Sequence, residues 1–167
     1  MKKSARNKKY QPKPVKRNSL EQVIQRVKPL TEQDKEYLYK QAIAAINAMQ
    51  FGRDLSTQDF TILCDMLNIS LIMSNNGIGN EYFDGLQQAR EALQDSKQRY
   101  LKTKRLGFTA SELAAAKEAL SIHATQLEVC TFGEFVSAFD EQEKRIKAGV
   151  FYKRDGDLSV GDMKAAA

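Results

Sequence analysis

At 167 residues, with 42% hydrophobic and 28% charged residues, the chain has the size and composition of one globular domain. Two distant cysteines argue against a disulfide framework, and the most apolar window, 62–73, is interrupted by Asp65 and Asn68 and is too short to cross a bilayer. The net charge of +5 is unevenly placed: the first 18 residues hold Lys2, Lys3, Arg6, Lys8, Lys9, Lys13, Lys16 and Arg17 and no acid, and taking these eight from the 26 Lys and Arg leaves 18 against 21 Asp and Glu, a formal −3.

Within residues 1–18, Tyr10 is the only aromatic residue and Val15 the only aliphatic one beyond Met1 and Ala5, too little apolar surface to offset the entropy of ordering. A disordered basic tail is expected. Gln11, Pro12 and Pro14 stand where a signal peptide would need an apolar run, so a cytoplasmic location is expected, with reduced, buried thiols at Cys64 and Cys130.

Ser19 opens a short helix with Gln22 as its capping-box partner and Val23, Ile24 and Val27 on one side, and Pro29 ends it. Thr31 caps a second helix, in which Leu38, Ala42, Ala45 and Met49 form a stripe flanked by Ile43 and Ile46, with Gly52 at its end. In the third, Leu55 precedes the cap Ser56, Asp59 takes the third helical position and Phe60 the fourth. Ile62, Leu63, Cys64, Met66, Leu67, Ile69, Leu71 and Ile72 then cover most of its circumference, the pattern of a central, buried helix.

Asn75, Asn76 and Gly77 offer left-handed residues for the helix end, and Asn80 is a cap for the next helix, whose stripe is Tyr82, Leu86, Ala89, Leu93 and Tyr100. Lys102, Lys104 and Arg105 suit the negative end of its dipole, and Gly107 closes it. Thr109 and Glu112 form a capping box with Phe108 and Leu113 as staple, followed by the stripe Leu113, Ala116, Leu120, His123 and Leu127. A second box, Thr131 with Glu134, starts a last helix with Phe135, Phe139 and Ile146 inward, and Gly133 leaves room for a break or a bend.

No segment alternates like a strand, so the fold class is all-α: an antiparallel bundle of about five helices with a disordered basic N-terminal tail. The expected organisation is a tail at 1–18, a helical bundle domain at 19–149, and a polar, frayed C-terminal segment at 150–167.

Chemistry-bearing residues are sparse. His123 is the only histidine and lies on an apolar stripe, which reads as a core histidine with a hydrogen-bond partner ahead of a pH-sensitive or ligand-binding role. Cys64, His123 and Cys130 lack the spacing of a compact zinc site, and Asp155, Asp157 and Asp162 lack the pattern of a calcium loop. Asn76-Gly77-Ile78-Gly79-Asn80 lacks the strand, third glycine and Lys-Ser/Thr of a phosphate loop. No catalytic, cofactor or metal residue is assigned, and no enzyme is expected. The positive signal is the tail: Lys2, Lys3, Arg6, Lys8, Lys9, Tyr10, Lys13, Lys16 and Arg17 suit contact with a nucleic-acid backbone, the alternative being a solubility tail without a specific role. Glu81 and Asp84 open the helix after Gly77, which argues against groove reading by that hairpin.

The run Ala5-Arg6-Asn7-Lys8-Lys9-Tyr10-Gln11-Pro12-Lys13-Pro14-Val15 resembles the leader of a family of small, mostly uncharacterised phage and prophage proteins, some loosely labelled Fis-type regulators. Leu67-Asn68-Ile69-Ser70-Leu71, Gly77-Ile78-Gly79, and Ala119-Leu120 leading to His123, Gln126 and Leu127 are similar to the same pattern and extend it over most of the chain. The resemblance implies the bacterial cytoplasm and a phage life cycle, with nucleic acid or a host or phage protein as partner. It brings no active residues. An alternative is an anti-CRISPR-like inhibitor that binds a host defence protein through the acidic body.

Overall fold

The computed structural model describes residues 20–51 and 56–148, and the expected tail, Ser19, Gly52, Leu55 and the C-terminal segment lie outside them. The described residues form α1 (Leu20–Arg26), α2 (Glu32–Phe51), α3 (Thr57–Asn75), α4 (Phe83–Thr103), α5 (Ala110–Val129) and α6 (Phe132–Lys147). A 3-10 turn, Asn80–Tyr82, precedes α4, and an isolated bridge between Pro29 and Thr131 is the sole β pairing among them. The fold is an all-α bundle.

Local chemistry starts the helices where the sequence predicts. Ser56 with Asp59, Thr109 with Glu112 and Thr131 with Glu134 each form a complete capping box, and Thr31 Oγ1 accepts from Asp34 N at 3.2 Å. Each side-chain cap contributes about 1 kcal/mol by satisfying an amide that the helix leaves without a carbonyl.

The central position expected of α3 follows from its all-round apolar surface: it contacts α2, α4, α5 and α6. The larger core cluster joins Ile46 and Met49 of α2, Leu63, Leu67 and Leu71 of α3, Leu86 and Leu93 of α4, and Ala116 and Leu120 of α5. A smaller one gathers Leu30, Ile69, Ile72, Met73, Leu127, Cys130 and Ala138 where α6 meets the second half of α3. α6 leaves α5 through two extended residues, Cys130 and Thr131, and so lies against α3 rather than continuing beside α5.

Several helix ends differ from expectation. Asn76 has φ −87° and Gly77 alone of the three residues after α3 is left-handed, at φ 92°. Asn80 is not a cap, because the 3-10 turn intervenes and α4 begins at Phe83 without a side-chain cap. α4 ends before Gly107: Lys104 takes the left-handed position, with φ 57°, and its amide donates to Tyr100 O. Gly133 neither breaks nor bends the chain; it lies in the first turn of α6, where a Cβ would stand 2.7 Å from Arg26 O. It is the contact that lets α1 lie against α6.

The inward face of α6 also differs. Ala138 and Gln142 are buried and Phe135 is half-buried, whereas Phe139 and Ile146 are 45% and 46% exposed. The reason is long-range: Gln142 Nε2 donates to Asp65 Oδ1 of α3 at 2.5 Å, which turns α6 so that its polar position faces the core side.

Candidate functional site

The nine tail residues proposed to meet nucleic acid, Lys2, Lys3, Arg6, Lys8, Lys9, Tyr10, Lys13, Lys16 and Arg17, lie outside the described residues. What the structure places is the body: a buried polar cluster, a basic end and an uncovered apolar face.

The buried cluster lies between α3, α5 and the turn after α3. His123 Nδ1 is 2.7 Å from Ser70 Oγ, and both residues are nearly inaccessible, at 3% and 0%. Gln126, one turn further along α5, donates through Nε2 to Ser70 O at 3.0 Å and Ile78 O at 2.8 Å, and Ser74 Oγ donates to Gly79 O at 3.2 Å. Burial pushes His123 down to about 4, so the imidazole is neutral near pH 7. A serine hydroxyl beside an imidazole is the start of a nucleophile and base pair, but this one is closed to solvent. Its chemistry here is a hydrogen bond that joins two helices.

The cysteines do not converge on His123. Cys64, half-buried, packs against the larger core cluster and burial pushes its thiol up to about 12, while Cys130 belongs to the smaller cluster and is pushed up to about 11 by the same cause. Both are free thiols. Among the described residues no group of three His, Cys, Asp or Glu side chains is placed to hold a metal ion.

The basic end lies where α4 gives way to α5. Arg99 grips Glu112 with both terminal nitrogens, at 2.8 and 2.6 Å, and Nη2 also donates to Gly107 O at 2.6 Å. This pairing holds the Glu112 carboxyl below the usual range and raises Arg99. An open depression of about 530 Å³ is lined there by Arg99, Thr103, Arg105, Leu106, Gly107, Phe108 and Thr109. Arg99 is committed to Glu112, so the exposed cation lining the depression is Arg105, with Lys102 and Lys104 exposed nearby in sequence at the end of α4.

The third feature was not expected from the sequence. Val23 and Ile24 of α1 and Val27 just after it are 45–68% exposed, and Phe132 joins Phe139 and Ile146 as an exposed hydrophobic residue of α6. These two helices touch each other and, together with Val27, carry six of the twelve exposed large hydrophobic residues among the described ones. The signal was present in the seven-residue spacing of Phe132, Phe139 and Ile146, which marks a helix seam but does not say whether the seam meets this chain or another. No helix among the described residues is long and apolar enough to cross a membrane.

Fold and site together define a helical bundle with a sealed polar core contact and open surfaces on α1, α4 and α6. Comparison of the chain with protein-family models, curated proteins and solved structures gives no match.

Proposed function

We propose that this is a non-enzymatic binding protein of phage or prophage origin, working in the bacterial cytoplasm without a cofactor, whose basic tail contacts nucleic acid while the helical body engages a protein. The observation that carries the reading is the segregation of charge: eight cations without an acid in residues 1–18, and a formal −3 over the rest. A polyanion is attracted to the tail and repelled by the body, so the tail tethers without selecting a sequence. The exposed hydrophobic residues of α1 and α6 support the protein-binding half. The phage origin is what the resemblance of the leader and of the later segments to the phage and prophage family implies.

The test is binding to labelled duplex and single-stranded DNA across a salt series, with the full chain and a chain lacking residues 1–18. If all eight cations meet phosphates, the affinity for duplex falls with salt on a log–log slope of up to about −7, and the slope is lost with the tail. Equal affinity of the two chains rejects the reading.

The net acidity of the body favours a second reading, inhibition of a host defence protein by competition for its nucleic-acid site. Nuclease-treated affinity capture from a phage host tests it; recovery of no host protein removes its basis.

A further inference from the structure

We infer that the exposed seam of α6, flanked by α1, is the docking surface for a second copy of this chain, with the two α6 helices antiparallel across a two-fold axis near Phe139. The inference names a partner for the body in the function proposed above and rests on that half of the reading alone.

Three observations lead to it. Phe132, Phe139 and Ile146 recur every seven residues and are all about half exposed, with half-buried Val136 completing the seam between the first two. A strict seven-residue repeat keeps one line of a helix facing a partner helix, whereas among the described residues α6 packs mainly on α3 and α1 and leaves Phe132, Phe139 and Ile146 exposed. The repeat is also nearly symmetric about its centre: reversing α6 end for end places Phe132 opposite Ile146 and returns Phe139 to itself, as an isologous contact requires.

Charge chooses the direction. The first turn of α6 is acidic at Glu134 and its last turn is basic at Lys144, while the neighbouring Arg145 and Lys147 pair within the helix with Glu141 and Glu143 at 2.9 and 2.7 Å. Parallel pairing would bring Lys144 against its own copy, whereas antiparallel pairing about Phe139 brings it opposite the partner's Glu134 and opposes the two helix dipoles.

The seam extends only two repeats, about 21 Å at 1.5 Å per residue, shorter than a free-standing coiled coil needs. Here the helix is already formed by docking on α3, so association does not bear the cost of ordering it. Val23 and Ile24 on the neighbouring α1, with Val27 just after it, widen the apolar surface toward what a standard interface buries.

The full chain, free of nucleic acid, is measured by sedimentation equilibrium over a concentration series. The expected result is an equilibrium between one and two copies of the 18.9 kDa chain, with Phe139→Glu weakening association about thirtyfold or more while leaving helicity and melting temperature unchanged. A parent chain that stays monomeric at the highest concentration overturns the inference, as does an unchanged association constant in a folded Phe139→Glu protein. Cross-linking with a short bis-maleimide tests direction without removing the dimer: Phe139→Cys links to itself, and Phe132→Cys links to Ile146→Cys. Self-linking of Phe132→Cys alone overturns the antiparallel arrangement. Because nucleic acid is absent throughout, failure here leaves the role of the tail to be decided by its own salt series.

Discussion

Lowering the pH from 7 to 4.5 weakens this protein through His123. Unfolded, the imidazole takes up a proton near pH 6.5; folded, it is buried against Ser70 and does so only near 4. Between those values the unfolded state binds one proton more, so stability is fully present above pH 6.5 and is lost as the pH falls toward 4. The separation of the two values corresponds to about 3 kcal/mol in all, or about 1.4 kcal/mol per pH unit within the window. That is a large share of the roughly 5–15 kcal/mol that holds a typical domain folded. Urea denaturation at steps from pH 7.5 to 4.5, on the parent and on His123→Gln, isolates the effect, because glutamine keeps a hydrogen-bonding group that does not titrate. The carboxylates contribute equally to both proteins and cancel in the difference. The parent is expected to lose about 2–3 kcal/mol relative to the variant between pH 7 and 4.5; parallel profiles would refute the reasoning.

Two further predictions follow from contacts elsewhere in the body. Glu112→Gln removes the charge from the Arg99 pair while keeping an acceptor at the start of α5, and costs about 1–2 kcal/mol by urea denaturation, limited because Arg99 is about one-third exposed. The Glu112 contribution is present above about pH 4.5 and is lost as the pH falls below it, since its folded carboxyl is held lower than its unfolded one. A loss of stability that is the same at pH 7 and pH 3 would contradict this. Gly133→Ala drives a Cβ against Arg26 O, releases α1 from α6 and costs about 1 kcal/mol, and amide exchange at Phe132, whose N–H donates to Lys28 O at 2.7 Å, is expected to accelerate. Unchanged exchange at that amide would show that α1 does not depend on the close approach.

The capping boxes at Ser56, Thr109 and Thr131 were legible because each is completed within four residues of chain, and the central position of α3 because its apolar residues leave no polar face. The face of α6 was not legible. Phe139 and Ile146 carry the larger hydrophobic signal, yet the Gln142 contact with Asp65, 77 residues away in sequence, decides the rotation. The end of α4 was misplaced for a similar reason: Gly107 is the residue that adopts left-handed backbone most cheaply, but Lys104 is fixed there while Arg99 and Ser96 both hold the Gly107 carbonyl. For the buried cluster, the sequence placed His123 on an apolar stripe and predicted a partner; only the fold could name Ser70, 53 positions earlier. The nucleic-acid contact proposed for residues 2–17 depends on charge alone and lies outside the described residues.

The Ser70 contact has a consequence for which structure the chain chooses. A helix as uniformly apolar as α3 packs almost equally well after a rotation or a slide of one turn, since greasy side chains interchange at little cost. His123 and Gln126 remove that degeneracy: in any shifted arrangement the imidazole and the Gln126 amide nitrogen lose their partners, at about 1–3 kcal/mol each, while in the native one His123 meets Ser70 and Gln126 Nε2 donates to two carbonyls. The pair works as a key in a lock that hydrophobicity alone would let turn freely. Its replacement by leucines of similar bulk would then be read less in melting temperature than in the number of conformations that share the folded state.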